Sequence, residues 1–316
     1  MRVLVTGASG FVGSALVSTL ERRQGVEVIA AGRSSSVLPP GGVVGPDLCG
    51  EADWAPLLAG CHVVVHTAAR VHVMRESEAD PYGAFRAVNV AGTARLVKQA
   101  VTAGVRRFIF ISSVKALGET SVPGRPLEAD DPLHPLDPYG RSKAEAEECL
   151  AEIADAAGME WVVIRPPLVY GPGVKGNFRS MMRWLHRGLP LPLAGVDNLR
   201  SLVALPNLVD LMAVCLEHPA AANQRFLVSD GEDLSTPDLL RRLGTALGSP
   251  PHLFTLPQAL LLGIARGLGR GEAAARLVGT LQVNPTKTRK RLSWQPPVSL
   301  DEALALTARH WLGELA

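Results

Sequence analysis

The opening residues constrain this chain most. The run Arg2-Val3-Leu4-Val5-Thr6 leads directly into Gly7-Ala8-Ser9-Gly10-Phe11-Val12-Gly13, a G-x-x-G-x-x-G spacing that continues into helix-forming sequence. Such a loop joins a strand to a helix. Its first glycine permits a tight turn, its second lets backbone N–H groups approach a pyrophosphate at the positive helix end, and its third lets helix and strand pack closely. In this context the spacing predicts dinucleotide binding around Gly7, Gly10, Phe11, Val12 and Gly13.

Short Val/Ile-rich runs at 2–6, 26–31, 62–66, 107–111 and 161–165, with a shorter one at 43–44, alternate with helical patterns at 11–23, 81–103 and 138–157. Strands this apolar are covered on both faces, and the alternation is that of βαβ units. The expected fold is α/β: a doubly wound parallel Rossmann sheet with a smaller, mostly helical C-terminal substrate domain. After Pro166 the sequence becomes rich in Pro and Gly, and helices are expected at 177–186, 206–217, 236–247, 257–268 and 300–311, with a strand at 225–229. The corresponding division is 1–165 for the dinucleotide domain, rejoined by about 199–228, and 166–198 with 229–316 for the substrate domain.

Composition narrows the class further. Lys and Arg number 32 against 30 Asp and Glu, with no long basic run, so nucleic acid is not an expected partner. Cys49, Cys61, Cys149 and Cys215 form no C-x-x-C pair, which gives no support to a zinc knuckle or a redox dithiol. His62 and His66, four apart on a strand, stand roughly 13 Å from one another and cannot share an ion, so no metal is expected. The N-terminus lacks the pattern of a signal peptide, and a cytoplasmic location is expected. The apolar stretch 256–283 is broken by Arg266, Arg270, Glu272 and Arg276, so it reads as amphipathic helices compatible with peripheral membrane contact rather than as a transmembrane segment.

About 20 residues beyond the glycine loop, where a carboxylate reads the ribose of NAD, stands Arg33. A guanidinium there suits the 2′-phosphate of NADP, and a solvated loop Arg is the other reading, so NAD and NADP both stay open. Tyr139 and Lys143 lie four apart at a helix start and share a face. A nearby ammonium favours the phenolate, so Lys143 is expected to lower the pKa of Tyr139 towards the working range of an acid/base. Upstream, Phe108-Ile109-Phe110-Ile111-Ser112-Ser113 ends a strand in hydroxyls, at the sheet edge where ligands bind in α/β folds.

With these motifs in one order, the chain resembles the extended short-chain dehydrogenase/reductase family, specifically the sugar-nucleotide epimerases, dehydratases and 4-keto reductases. The resemblance extends to Asp47-Leu48, His66-Thr67-Ala68-Ala69, Asn89-Val90-Ala91-Gly92-Thr93, Arg165-Pro166-Pro167 and Tyr170-Gly171-Pro172. It implies an NAD(P) cofactor with Asp47 and Leu48 near adenine, Thr67, Ala68, Ala69 and Asn89 along the cofactor, and Pro166 near nicotinamide. It further implies Tyr139 as acid/base, Lys143 on the nicotinamide ribose, Ser113 orienting a sugar oxygen, and Asn177 and Arg200 on the diphosphate portion of a UDP-sugar. A homodimer built on helices beginning near Pro81 and Pro138 is implied as well.

Departures from the family pattern narrow the reading. Ser112-Ser113-Val114-Lys115 lacks the acidic residues of the dehydratases, and Leu117 and Leu168 replace a Tyr and an Asn frequent in epimerases. The phrases at 68–74, 167–178 and 228–236 are similar to those of the UDP-N-acetylquinovosamine-forming reductases of surface polysaccharide synthesis. The expected activity is therefore NAD(P)H-dependent reduction at C4 of a UDP-2-acetamido-2,6-dideoxy-4-ketohexose. A UDP-hexose or UDP-N-acetylhexosamine 4-epimerase is the alternative, and a non-catalytic dinucleotide-binding protein the second alternative.

Overall fold

A computed structural model describes residues 1–71, 80–269 and 271–315, so the phrase at 68–74 lies partly outside the described residues. In chain order the elements are β1 (Arg2–Thr6), α1 (Phe11–Leu20), β2 (Glu27–Gly32), β3 (Val43–Val44), α2 (Ala55–Leu58), β4 (Val63–His66), α3 (Pro81–Arg86), α4 (Thr93–Thr102), β5 (Arg107–Ile111) and α5 (Pro138–Ala157). They continue with β6 (Glu160–Arg165), β7 (Leu168–Tyr170), α6 (Gly176–His186), β8 (Arg200–Ala204), α7 (Leu205–Cys215), β9 (Gln224–Leu227), β10 (Asp233–Leu234), α8 (Thr236–Ala246), α9 (Gln258–Gly267), α10 (Gly271–Val278), α11 (Thr286–Leu292) and α12 (Leu300–Gly313).

Seven strands form one parallel sheet in the order β3-β2-β1-β4-β5-β6-β9. Alternate side chains enter opposite cores. Val3, Val5, Val63, Val65 and Ile109 pack with Leu16, Val17 and Met212 of α1 and α7, whereas Leu4, Val64, Phe108 and Phe110 pack with Leu96, Val97 and Leu150 of α4 and α5. Each such apolar side chain contributes roughly 1.5–3 kcal/mol on burial. The chain runs outward from β1 in both directions, so the switch between β1 and β4 opens a crevice at the carboxyl edge of the strands, where ligands bind in such sheets.

A second core gathers Tyr170, Phe178, Leu202, Leu240, Leu304 and Trp311 around a small sheet, β10-β8-β7. The strand expected at 225–229 is β9, and it extends the large sheet beside β6. β7, β8 and β10 were not expected, because runs of two to five residues interrupted by Pro and Gly carry little period-two signal. Leu292 and Trp294, at the end of α11, pack in the first core although they lie within 229–316.

The helix expected at 81–103 is interrupted by a π-helical turn, Ala87–Gly92. Its extra residue turns Asn89 into the interior, and Gly92 is required beneath it, since a Cβ there would lie 2.8 Å from Leu48 O. Among the described residues no helix is long and apolar enough to cross a membrane.

Candidate active site

The glycine loop is built as its spacing predicts. Gly7 has φ +72°, and a Cβ on Gly13 would lie 2.2 Å from Gly7 O. Gly10 is exposed, and a Cβ there would meet only Gly7 O, at 3.1 Å, so the outer side of the loop is open. α1 has no side-chain cap, which leaves the first-turn N–H groups of Phe11, Val12 and Gly13 available to an anion. Loop and helix end thus fit a pyrophosphate. The Phe11 and Val12 side chains turn inward against the core.

Thr67 seals the floor of the loop. Its hydroxyl donates to Thr6 O at 2.7 Å and sits 2.7 Å from where a Cβ on Gly13 would be, and Ala68 and Ala69 follow, half-buried. Before them His66 is fully buried between the hydroxyls of Thr6 (2.6 Å) and Thr93 (3.0 Å), stacked on Phe110. Burial, and then the charge of Lys143, hold its imidazole down to about 3. Asn89 takes a different role from the cofactor contact expected of it. It is 2% exposed, accepts from Arg70 N–H (2.8 Å) and donates to Arg70 O (3.0 Å) and Ser142 Oγ (2.9 Å), so it ties the Ala69-Arg70 segment to α5.

Around the expected adenosine end, Arg33 is exposed just past β2, and Gly32 lies against Ser9 of the glycine loop. Asp47 is an exposed turn residue that accepts from Cys49 N–H, and Leu48 O accepts from Arg95.

The catalytic candidates converge from three elements. Asp137 caps α5 by accepting from Gly140 N–H (2.6 Å), Pro138 starts the helix, and Lys115 pairs with Asp137 and with Glu119. Gly140 is obligatory here, because a Cβ would lie 2.5 Å from Lys115 O. That close approach sets Tyr139, half-buried and edge-on to Phe85, beside the Ser113 hydroxyl. Pro166 joins them, as its carbonyl accepts from Val114 N–H at 3.0 Å.

Lys143, 2% exposed, donates to Ile111 O at 2.8 Å and lies 4.4 Å from the Phe110 ring centre. Burial pulls its ammonium down to about 7, with the Glu147 carboxylate opposing. The lowered Tyr139 pKa expected from Lys143 is absent. Burial and then the Asp137 charge push the phenol up to about 12, against the Ser113 hydrogen bond, while Lys143 is directed at the β5 carbonyl.

Sequence reasoning missed the buttress behind this site. Glu147 continues the Tyr139 and Lys143 face by one more turn and is fully buried. It accepts from Arg165 Nη2 (2.5 Å) and Nε (3.0 Å) and from Ser112 Oγ, and Arg165 Nη1 also donates to Ala129 O (2.8 Å). One ion pair therefore joins the helix of Tyr139 and Lys143, the strand end before Ser113 and the strand end before Pro166. The signal available was the i, i+4, i+8 spacing.

The substrate-side candidates lie in the smaller sheet and its helices. Asn177 is exposed in the first turn of α6, and Leu168 is 40% exposed at the start of β7. Arg200 is half-buried at the start of β8, where its Nη1 donates to Arg276 O (2.6 Å) and Gly279 O (3.0 Å) and ties the strand to the end of α10. Leu117 is buried with Val114, Leu227 and Val283.

A phosphate-sized cradle at the switch point of a parallel sheet, with Ser, Tyr and Lys at the same edge, defines a dinucleotide-dependent α/β enzyme equipped for hydride chemistry. Residues 3–229 match the NAD dependent epimerase/dehydratase family. The chain belongs to that family, within the extended short-chain dehydrogenases/reductases. It is 45% identical over 313 residues to a UDP-glucose 4-epimerase of Vibrio cholerae, covering 98% of this chain and 95% of that one. Among solved structures it is similar to UDP-glucose 4-epimerase of Thermotoga maritima with UDP-glucose (TM-score 0.81, 24% identity, 100% of both chains). It is also similar to the Thermus thermophilus UDP-glucose 4-epimerase complex with NAD (TM-score 0.77, 25% identity, 99% of both chains).

Proposed function

We propose that this protein is an NAD-dependent 4-epimerase of a UDP-hexose or UDP-N-acetylhexosamine. The observation that carries the reading is the 45% identity to a 4-epimerase along nearly the whole chain, joined to the Ser113, Tyr139 and Lys143 constellation. Reduction of a 4-keto sugar, expected from short sequence phrases, has no counterpart in the relatives named above.

When bound, oxidised nicotinamide supplies a hydride acceptor for C4 and a positive charge that favours the phenolate. Tyr139 as phenolate would take the 4-hydroxyl proton as C4 is oxidised and would return it, after the ketone has turned over, as C4 is reduced again. No net oxidation results. Ser113 orients the reacting oxygen and stabilises the phenolate, and Lys143 would hold the cofactor ribose. The loop from Gly7 to Gly13, Thr67, Ala68, Ala69 and Pro166 form the cofactor face, with Asn89 acting through the Arg70 backbone. A homodimer through α3, α4 and α5 is part of the same reading.

The test is NMR of UDP-glucose and UDP-N-acetylglucosamine after incubation with purified protein and NAD. Appearance of the C4 epimer without net nicotinamide reduction is expected, and Tyr139→Phe should slow turnover by about 10²–10⁴-fold with folding intact. Stoichiometric NAD(P)H consumption on a 4-keto sugar, with no epimer formed from either substrate, would refute the epimerase and favour the reductase.

A further inference from the structure

One helix of the smaller domain turns its apolar side away from the protein. In α9, Leu261 is buried and Leu262 and Ala265 pack against the second core, whereas Leu260, Ile264 and Leu268, spaced i, i+4, i+8, are 51%, 51% and 71% exposed. After Gln258 the only polar side chain of this helix is Arg266, and the rest of its outer side is Ala259, Gly263 and Gly267. A solvent-facing helix ordinarily presents the reverse pattern, with polar residues outward.

The apolar surface continues beyond the helix. Phe254 is exposed, and its backbone pairs with Leu191 (3.0 Å), which brings up the turn that carries exposed Leu189. At the same turn His252 lies 4.0 Å from where a Cβ on Gly188 would be. Immediately before it, α6 exposes Arg183, His186 and Arg187. Charge in these two segments is of one sign. Residues 175–196 and 243–271 contain six Lys or Arg and no Asp or Glu; one of the six, Arg179, pairs with Glu314, and Asp197 and Glu272 follow the two segments directly.

We propose that α9, with Phe254 and Leu189, docks this protein on the surface of an anionic lipid bilayer. Leu260, Ile264 and Leu268 enter the boundary between headgroups and acyl chains, and Arg183, Arg187 and Arg266 contact lipid phosphates. An apolar stripe with cations beside it is the pattern of helices that lie in the membrane interface, and the one-signed charge selects anionic lipid over a neutral or acidic protein partner. The docking is independent of which sugar the active site turns over.

Co-sedimentation of the purified full chain with vesicles tests this. Vesicles of phosphatidylcholine with about one-third phosphatidylglycerol should carry the protein down at low salt, phosphatidylcholine alone much less, and added salt should release it. The double variant Ile264→Ser/Leu268→Ser should lower the bound fraction on the order of tenfold while the urea unfolding midpoint stays unchanged. Failure to sediment with the anionic vesicles overturns the proposal, as does undiminished binding by the double variant. So does a concentration-dependent dimer in lipid-free buffer that the variant converts to monomer, which would put a second copy of the chain on this face.

Discussion

Replacing His66 with glutamine should remove a measurable part of the pH dependence of stability. The imidazole is 0% exposed, hydrogen-bonded on both nitrogens to threonine hydroxyls, and held to about 3 by burial and by Lys143. The unfolded chain takes up that proton below about pH 6.5, whereas the folded chain stays neutral there until about pH 3. The contribution is therefore complete above pH 6.5 and is lost as the pH falls towards 3. At pH 5 the unfolded state gains about 2 kcal/mol from this one group. Glutamine can still reach Thr6 and Thr93 but does not titrate. Urea unfolding at pH 8 and pH 5 should show wild type the more stable at pH 8 by about 1–3 kcal/mol, with the gap between the proteins narrowing by about 2 kcal/mol at pH 5. Other groups titrate alike in both proteins and cancel. A gap that holds constant within about 0.5 kcal/mol would refute the buried neutral imidazole.

Four other substitutions probe the site's supports. Glu147→Ala leaves Arg165, and Arg225 whose Nε lies 3.7 Å from the same carboxylate, without their acid and should cost roughly 3–5 kcal/mol by urea unfolding; a cost under about 1 kcal/mol would refute the pair as a support of the site. Glu147→Gln removes the charge that raises the Lys143 pKa, so the alkaline limb of the pH–rate profile should move to lower pH; an unmoved limb would separate Glu147 from the charge state of Lys143. Gly140→Ala places a methyl 2.5 Å from Lys115 O, and should cost on the order of 1–3 kcal/mol and lower kcat more than it raises KM by displacing Tyr139 from Ser113; full activity would show that the helix start can yield. Gly13→Ala, with its methyl 2.2 Å from Gly7 O, should abolish NAD binding in a calorimetric titration.

The parts of the site legible in the sequence are those whose chemistry is local. The loop from Gly7 to Gly13 and the Tyr139/Lys143 pair each lie within a few consecutive residues, so spacing alone places them on a turn and on one helical face. Strands of Val and Ile covered on both sides were equally plain. The choice between reducing and epimerising at C4 was not, because both reactions use the same three side chains.

What the sequence by itself determined is a parallel sheet headed by a dinucleotide loop, with the Ser, Tyr and Lys of a hydride-transfer site. Tertiary structure decided the rest by bringing together residues far apart in the chain. It joined Glu147 to Ser112 and Arg165, buried Asn89 through a π turn, tied Arg200 to α10 and aimed Lys143 at Ile111 O. It also turned the apolar side of α9 outward. Periodicity shows that a helix has an apolar side, but only packing against a second core determines whether that side is covered.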